Sequence, residues 1–165
     1  MRVTRRRGVV RVSLDEVEIG LLRTLFADLT DALTGMSDDD PVRRRMFPEG
    51  YRDDPDAALE YRDLTESSLL EQRQTRLAQA EAELPPSAGE VSLDPEAAAR
   101  WLAILNDLRL AIGTRLGIDS DTAVDDDLVG DGRDDTPDVA ADRAARAVYV
   151  WLTALLDRLV EAVTS

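Results

Sequence analysis

Residues 101–117 read WLAILNDLRLAIGTRLG, and this stretch decides the fold class. Trp101, Leu105, Leu108, Ile112 and Leu116 recur at steps of three and four, the period of a helix with one face in a core. Asp94-Pro95 upstream is a start signal: an acceptor for free backbone N–H groups, then a proline where its missing N–H is harmless. Gly117 is a stop, because glycine readily takes the left-handed conformation that closes a helix. The spacing predicts a helix from Pro95 to Leu116.

The same grammar extends outward. Leu14, Val17, Leu21, Leu22, Leu25, Leu29 and Leu33 predict a helix opened by a Ser13–Glu16 capping box and closed at Gly35. Asp54-Pro55 predicts a long helix, with Ala58, Tyr61, Leu64, Leu69, Leu70 and Leu77 on its buried side. It ends near Leu84, because Pro85-Pro86 cannot continue it. Thr136-Pro137 opens a last helix whose apolar stripe runs from Val139 and Ala140 through Val148, Trp151, Leu152, Leu155 and Leu159 to Val163. Ser37 to Arg52 is a polar connection, in which Asp38-Asp39-Asp40-Pro41 can start a short helical turn.

Val9–Leu14 and Glu90–Leu93 read as short strands. Val12-Ser13-Leu14-Asp15 recurs as Val91-Ser92-Leu93-Asp94, and Pro55-Asp56-Ala57-Ala58 resembles Pro137-Asp138-Val139-Ala140. Either a strand–helix–helix unit is used twice around a pseudo-two-fold axis, or these are residues common to many helix starts. Both readings pair the strands, since a lone strand leaves its backbone groups unmatched. The expected architecture is all-α: a single domain over 1–165, a bundle of four main helices with a small two-stranded β element. An acidic flexible loop is expected at about 119–135.

Composition narrows the chemistry. The 165 residues carry 20 Lys+Arg against 34 Asp+Glu, a net charge of −14, and contain neither cysteine nor histidine. Disulfides, thiolate metal sites, thiol nucleophiles and the commonest general base are absent. No cofactor is implied. An acidic chain repels nucleic-acid phosphates unless its arginines gather on one face. Met1 to Asp15 is too short in apolar residues and too charged for an export segment, and no run reaches the ~20 apolar residues of a membrane span. The expectation is a cytoplasmic protein.

Four candidate constellations remain. Asn106, Arg109 and Gly113 share neighbouring parts of one helix face. Gly113 would admit a close neighbour, and Glu60 is the carboxylate expected to meet Arg109. These four form either a register-fixing polar network or the anchors of a small-molecule pocket. With no base, nucleophile or phosphate loop beside them, the network is favoured. Arg5, Arg6 and Arg7 with Arg43, Arg44 and Arg45 would form a basic patch if the fold joined them. Neither run has interleaved aromatics, and direct nucleic-acid binding is disfavoured. Asp119-Ser120-Asp121-Thr122-Ala123 begins calcium-loop spacing and then loses register. Trp101 and Trp151 are expected in the core, and Tyr149 at an exposed position open to an interface.

Three blocks resemble the actinobacterial family called domain of unknown function 2017. They are Tyr51-Arg52-Asp53-Asp54-Pro55 through Glu60-Tyr61-Arg62, Trp101 through Gly117, and Val148-Tyr149-Val150-Trp151-Leu152; the opening, Leu14-Asp15 through Leu21-Leu22-Arg23, is also similar. The resemblance implies a non-enzymatic helical protein of the oxidative-stress transcriptional-regulator kind, acting with the transcription machinery. In that family redox sensing is attributed to a cysteine pair, which this chain lacks. The implied partner is a protein such as a transcription or sigma factor. A homodimer is a further expectation if the first or last helix leaves a leucine stripe exposed.

Overall fold

The computed structural model describes residues 1–35, 37, 39–47, 55–118 and 136–165, and the side chains of all of these except 55–66. Among them are three strands, β1 (Arg2–Arg6), β2 (Val9–Leu14) and β3 (Gly89–Leu93). Five helices accompany them: α1 (Glu16–Gly35), α2 (Pro41–Met46), α3 (Pro55–Glu83), α4 (Pro95–Arg115) and α5 (Pro137–Thr164). The fold is mainly helical with a small sheet, as expected, but the sheet has a third strand.

That strand, β1, is nearly all polar, so no hydrophobic alternation announces it. It forms because Arg7 (φ 54°) and Gly8 (φ 82°) both take positive φ, the requirement of a two-residue hairpin turn. The turn folds Arg6 onto Val9 and lays β1 antiparallel along β2.

β2 alternates in the manner of a half-buried strand: Val10, Val12 and Leu14 are buried while Arg11 faces out. β3 pairs antiparallel with β2, and Val12 stands directly opposite Val91. Arg11 faces Ser92, and Ser13 faces Glu90. A local two-fold through the Val12–Val91 pair therefore exchanges the two Val-Ser-Leu-Asp segments, each of which leads into a helix, α1 or α4. Arg11 and Glu90 form an ion pair of 2.9 Å on the outer face.

The cap of α1 lies two residues beyond the expected position. Asp15 Oδ1 accepts from the Glu18 amide at 2.9 Å, and the Asp15 amide donates to Glu18 Oε2 at 3.0 Å. Ser13 is engaged in the β2 ladder and cannot cap. The buried face of α1 accordingly begins at Ile19 and runs through Leu22, Phe26, Leu29 and Leu33. Val17, expected inside, is 80% exposed. Asp40 caps α2 through the Val42 amide at 2.8 Å, and Asp94 caps α4 through the Ala97 amide at 2.8 Å. At the end of α4, Gly117 takes φ 65° and the Ile118 amide donates back to Gly113 O at 2.8 Å. This glycine cap ends the helix at the expected place.

α4 is the hub, packing against α2, α3, α5 and the inner face of the sheet. Trp101 is fully buried and meets Phe26 edge-on, with ring centroids 6.1 Å apart. Leu152, Leu155, Leu156 and Leu159 seat α5. Each fully buried leucine contributes about 1.5–3 kcal/mol. The first turns of α5, from Pro137 to Ala144, are exposed. Val139 and Ala140, expected on a buried stripe, lie on this overhang, and Val163 is exposed at the other end. The apolar period continues past the body it could pack on. The region 119–135, expected as an acidic loop, lies outside the described residues.

Candidate functional site

The polar residues singled out on α4 lie toward its C-terminal half. Gly113 is buried, and a Cβ added there would stand 3.1 Å from Tyr149 Cε2. Glycine thus lets the Tyr149 ring of α5 come onto the α4 backbone. Tyr149, expected at an exposed interface, is half-buried in this contact. Asn106 and Arg109 are half-buried. Arg109 lines a cavity of about 120 Å³ together with Arg45, Gly113, Thr114 and Tyr149. The Glu60 side chain, its expected partner, lies outside the described residues.

The ion pair that joins helices here uses Asp107, one residue past Asn106 and two before Arg109. Arg73 Nε meets Asp107 Oδ2 at 3.0 Å, with both side chains less than a fifth exposed. The same guanidinium donates to Met46 O at 3.1 Å and stacks 4.7 Å from the centre of the Phe47 ring. One arginine of α3 therefore holds α4 by charge and the end of α2 by a hydrogen bond and a cation–π contact. A sequence signal for it existed: Leu70, Arg73 and Leu77 fall at helical spacing, which places Arg73 on the inward side of α3.

Both tryptophans are tethered by carboxylates. Trp101 Nε1 donates to Glu83 Oε2 at 2.6 Å, while Arg100 pairs with the other oxygen of the same carboxylate. Trp151 Nε1 donates to Glu18 Oε1 at 3.2 Å, and the Met1 amino group lies 2.9 Å from that oxygen. Burial alone would raise the Glu18 pKa. Hydrogen bonds from the Asp15 amide, the Met1 amino group and the Trp151 indole outweigh it and hold the carboxyl below its ordinary value.

The arginine runs sit on separate elements. Arg5 donates to Val163 O at 3.0 Å, covering free carbonyls at the end of α5, where a cation is favoured by the helix dipole. Arg44 pairs with Asp39 at 2.6 Å, Arg43 lies 5.8 Å from the Phe47 ring centre, and Arg45 lines the cavity beside Arg109. An open trough of about 600 Å³ follows α3 and α4, lined by polar side chains that include Glu71, Gln72, Arg76 and Arg100. Among the described residues, no group of three His, Cys, Asp or Glu side chains could hold a metal ion. No helix among them is long and apolar enough to cross a membrane.

The described part of the molecule is thus an acidic, mainly helical domain whose polar contacts tie helices to one another around a leucine-rich core. The chain belongs to the family described as domain of unknown function DUF2017, whose model matches residues 1–163. It is 36% identical over 94 residues to the putative oxidative stress regulator AosR of Mycobacterium leprae, covering 49% of this chain and 43% of that protein. It is 31% identical over 134 residues to the oxidative stress regulator AosR of Mycobacterium bovis, covering 73% of this chain and 57% of that protein. The corresponding protein of Mycobacterium tuberculosis matches to the same extent. The chain spans about half the length of the curated relatives it matches. No solved structure matches it.

Proposed function

We propose that this chain is a non-enzymatic, protein-binding regulatory domain that acts on the transcription machinery through its acidic surface. The observation that carries the reading is its membership of a family whose curated relatives are named as oxidative stress regulators. The partner is a transcription factor or sigma factor presenting a basic face to a chain of net charge −14, so association is steered by charge and weakened by salt. No thiol–disulfide switch operates within this chain, since it has no cysteine. Asn106, Arg109, Gly113 and Glu60 serve helix register. The alternative, a small-molecule site at Arg109, is disfavoured by a cavity of about 120 Å³, against the ~300–1,000 Å³ of ordinary ligand pockets.

The test is affinity capture with mass spectrometry from native cytoplasm at low salt, with and without peroxide. Recovery of a component of the transcription machinery, lost on raising the salt, is the expected result. Recovery of no specific protein would overturn the proposal. A mobility-shift assay at low ionic strength addresses Arg5, Arg6, Arg7, Arg43, Arg44 and Arg45 as a nucleic-acid surface; no complex is expected.

A further inference from the structure

The outer face of α5 has a charge order with a consequence for self-association. Val139, Arg143, Arg146, Val150, Asp157 and Glu161 follow one another at steps of four, three, four, seven and four residues, which keeps them on one stripe of a helix. The stripe lies opposite Leu152, Leu155, Leu156 and Leu159, the face that enters the core. It is therefore directed away from the body. Val139 is 46% exposed and Val150 41%. Arg143, Asp157 and Glu161 are exposed, and Arg146 is half-exposed.

The N-terminal half of this stripe is basic and the C-terminal half acidic, with Val150 between them. Arg143 and Asp157 are each seven residues from Val150, on opposite sides. The pattern is self-complementary under a two-fold axis, as an isologous interface requires. We infer that α5 pairs antiparallel with α5 of a second copy about an axis at Val150, bringing Arg143 and Arg146 of each chain to Asp157 and Glu161 of the other. Arg143 also has a contact within its own chain; a guanidinium has five donors and can serve both. Val150 of each chain would pack against its counterpart at the axis and be removed from water. The seam from Val139 to Glu161 is about 33 Å long. One helix pair of that length lies at the small end of specific interfaces, so the dimer forms and dissociates with concentration and is sensitive to salt.

The experiment is sedimentation equilibrium on the full chain over a concentration series, at about 50 mM and about 500 mM salt. Dimerisation at low salt, weakened at least about tenfold at high salt, is expected. R143E/R146E makes the stripe wholly acidic, and D157R/E161R makes it wholly basic. Each alone is expected to be monomeric, with unchanged circular dichroism because these side chains lie outside the core. Mixed in equal amounts, the two variants are expected to associate with each other. Combining all four substitutions in one chain is expected to restore self-association. A wild-type chain that stays monomeric at low salt, variants that dimerise unchanged, or a mixture that fails to associate would each overturn the inference. It does not depend on the proposed regulatory role, and failure to capture a transcription partner would leave it intact.

Discussion

Replacing Asp107 by alanine is expected to strand Arg73, the cation that joins α3 to α4 and to the end of α2. Arg73 and Asp107 meet at 3.0 Å, and their side chains are 18% and 14% exposed. Breaking a fully buried pair costs about 3–5 kcal/mol, because it strands the surviving charge. An exposed pair is worth about 0–1 kcal/mol. This pair lies between those limits, so Asp107→Ala should lose about 2 kcal/mol, with a fall in Tm of about 4–8 °C. Arg73 would keep its bond to Met46 O and its contact with Phe47, which moderates the loss. Arg73→Ala removes all three contacts and should cost more. Removing both charges, as Arg73→Ala with Asp107→Ala, should cost less than the two single changes added together, since no unpaired charge remains. The assay is urea denaturation of the four proteins in a double-mutant cycle at low and high salt. A coupling of about 1–2 kcal/mol that largely survives salt is expected. Single variants within about 0.5 kcal/mol of wild type, or a coupling near zero, would refute the reasoning.

Other outcomes follow from the same geometry. Trp101→Ala empties the centre of the core and leaves Glu83 without its indole donor; a loss of about 3–5 kcal/mol is expected by denaturant titration, and Trp101→Phe should lose less. Gly113→Leu drives a side chain into the Tyr149 ring, and thermal melting should show a loss of about 1–3 kcal/mol. The Glu18 carboxyl has a folded-state pKa below its unfolded value, so its stabilising effect is fully present above the ordinary glutamate pKa and is lost as pH falls through the depressed value. Glu18→Gln should therefore narrow its stability difference from wild type in the acid range, as read from urea midpoints against pH. Arg7→Asn places a residue tolerant of positive φ beside Gly8 and should stabilise the hairpin by about 0.5–1 kcal/mol.

The helices were legible because each carries its own instructions. Aspartate before proline at 54–55 and 94–95, and threonine before proline at 136–137, mark starts; Pro85-Pro86 and Gly117 mark stops. These are local effects of backbone geometry, so the observed limits of α3, α4 and α5 fall within a residue or two of those expected. The pairing of β2 with β3 was legible for a different reason: a lone strand leaves its backbone groups unmatched. The register, with Val12 opposite Val91, belongs to the folded sheet.

The candidate site was legible only in part. Gly113 reads in the sequence as a place of close approach, since a glycine inside a helix costs stability unless something needs the space, and the Tyr149 ring stands against it. Which side chain uses that space, Tyr149, could not be read from spacing, because the rotation of α5 about its axis is set by how its leucines seat. The sequence points to Arg109 as the partner in an ion pair, two residues from Asp107, which forms one. Two steps along a helix turn a side chain by roughly 200°, and that turn separates the cavity beside Arg109 from Arg73.

By itself the sequence determined the helical class, the element ends, the absence of thiol and imidazole chemistry and the surplus of negative charge, because each follows from residue type or short-range geometry. Only the tertiary structure decided that a polar N-terminal segment would be a strand, that Asp15 rather than Ser13 would cap α1, and that the overhanging start of α5 would leave Val139 in water. Those outcomes depend on which backbone groups and which apolar faces find a neighbour. That is a property of the packed chain and not of any stretch within it.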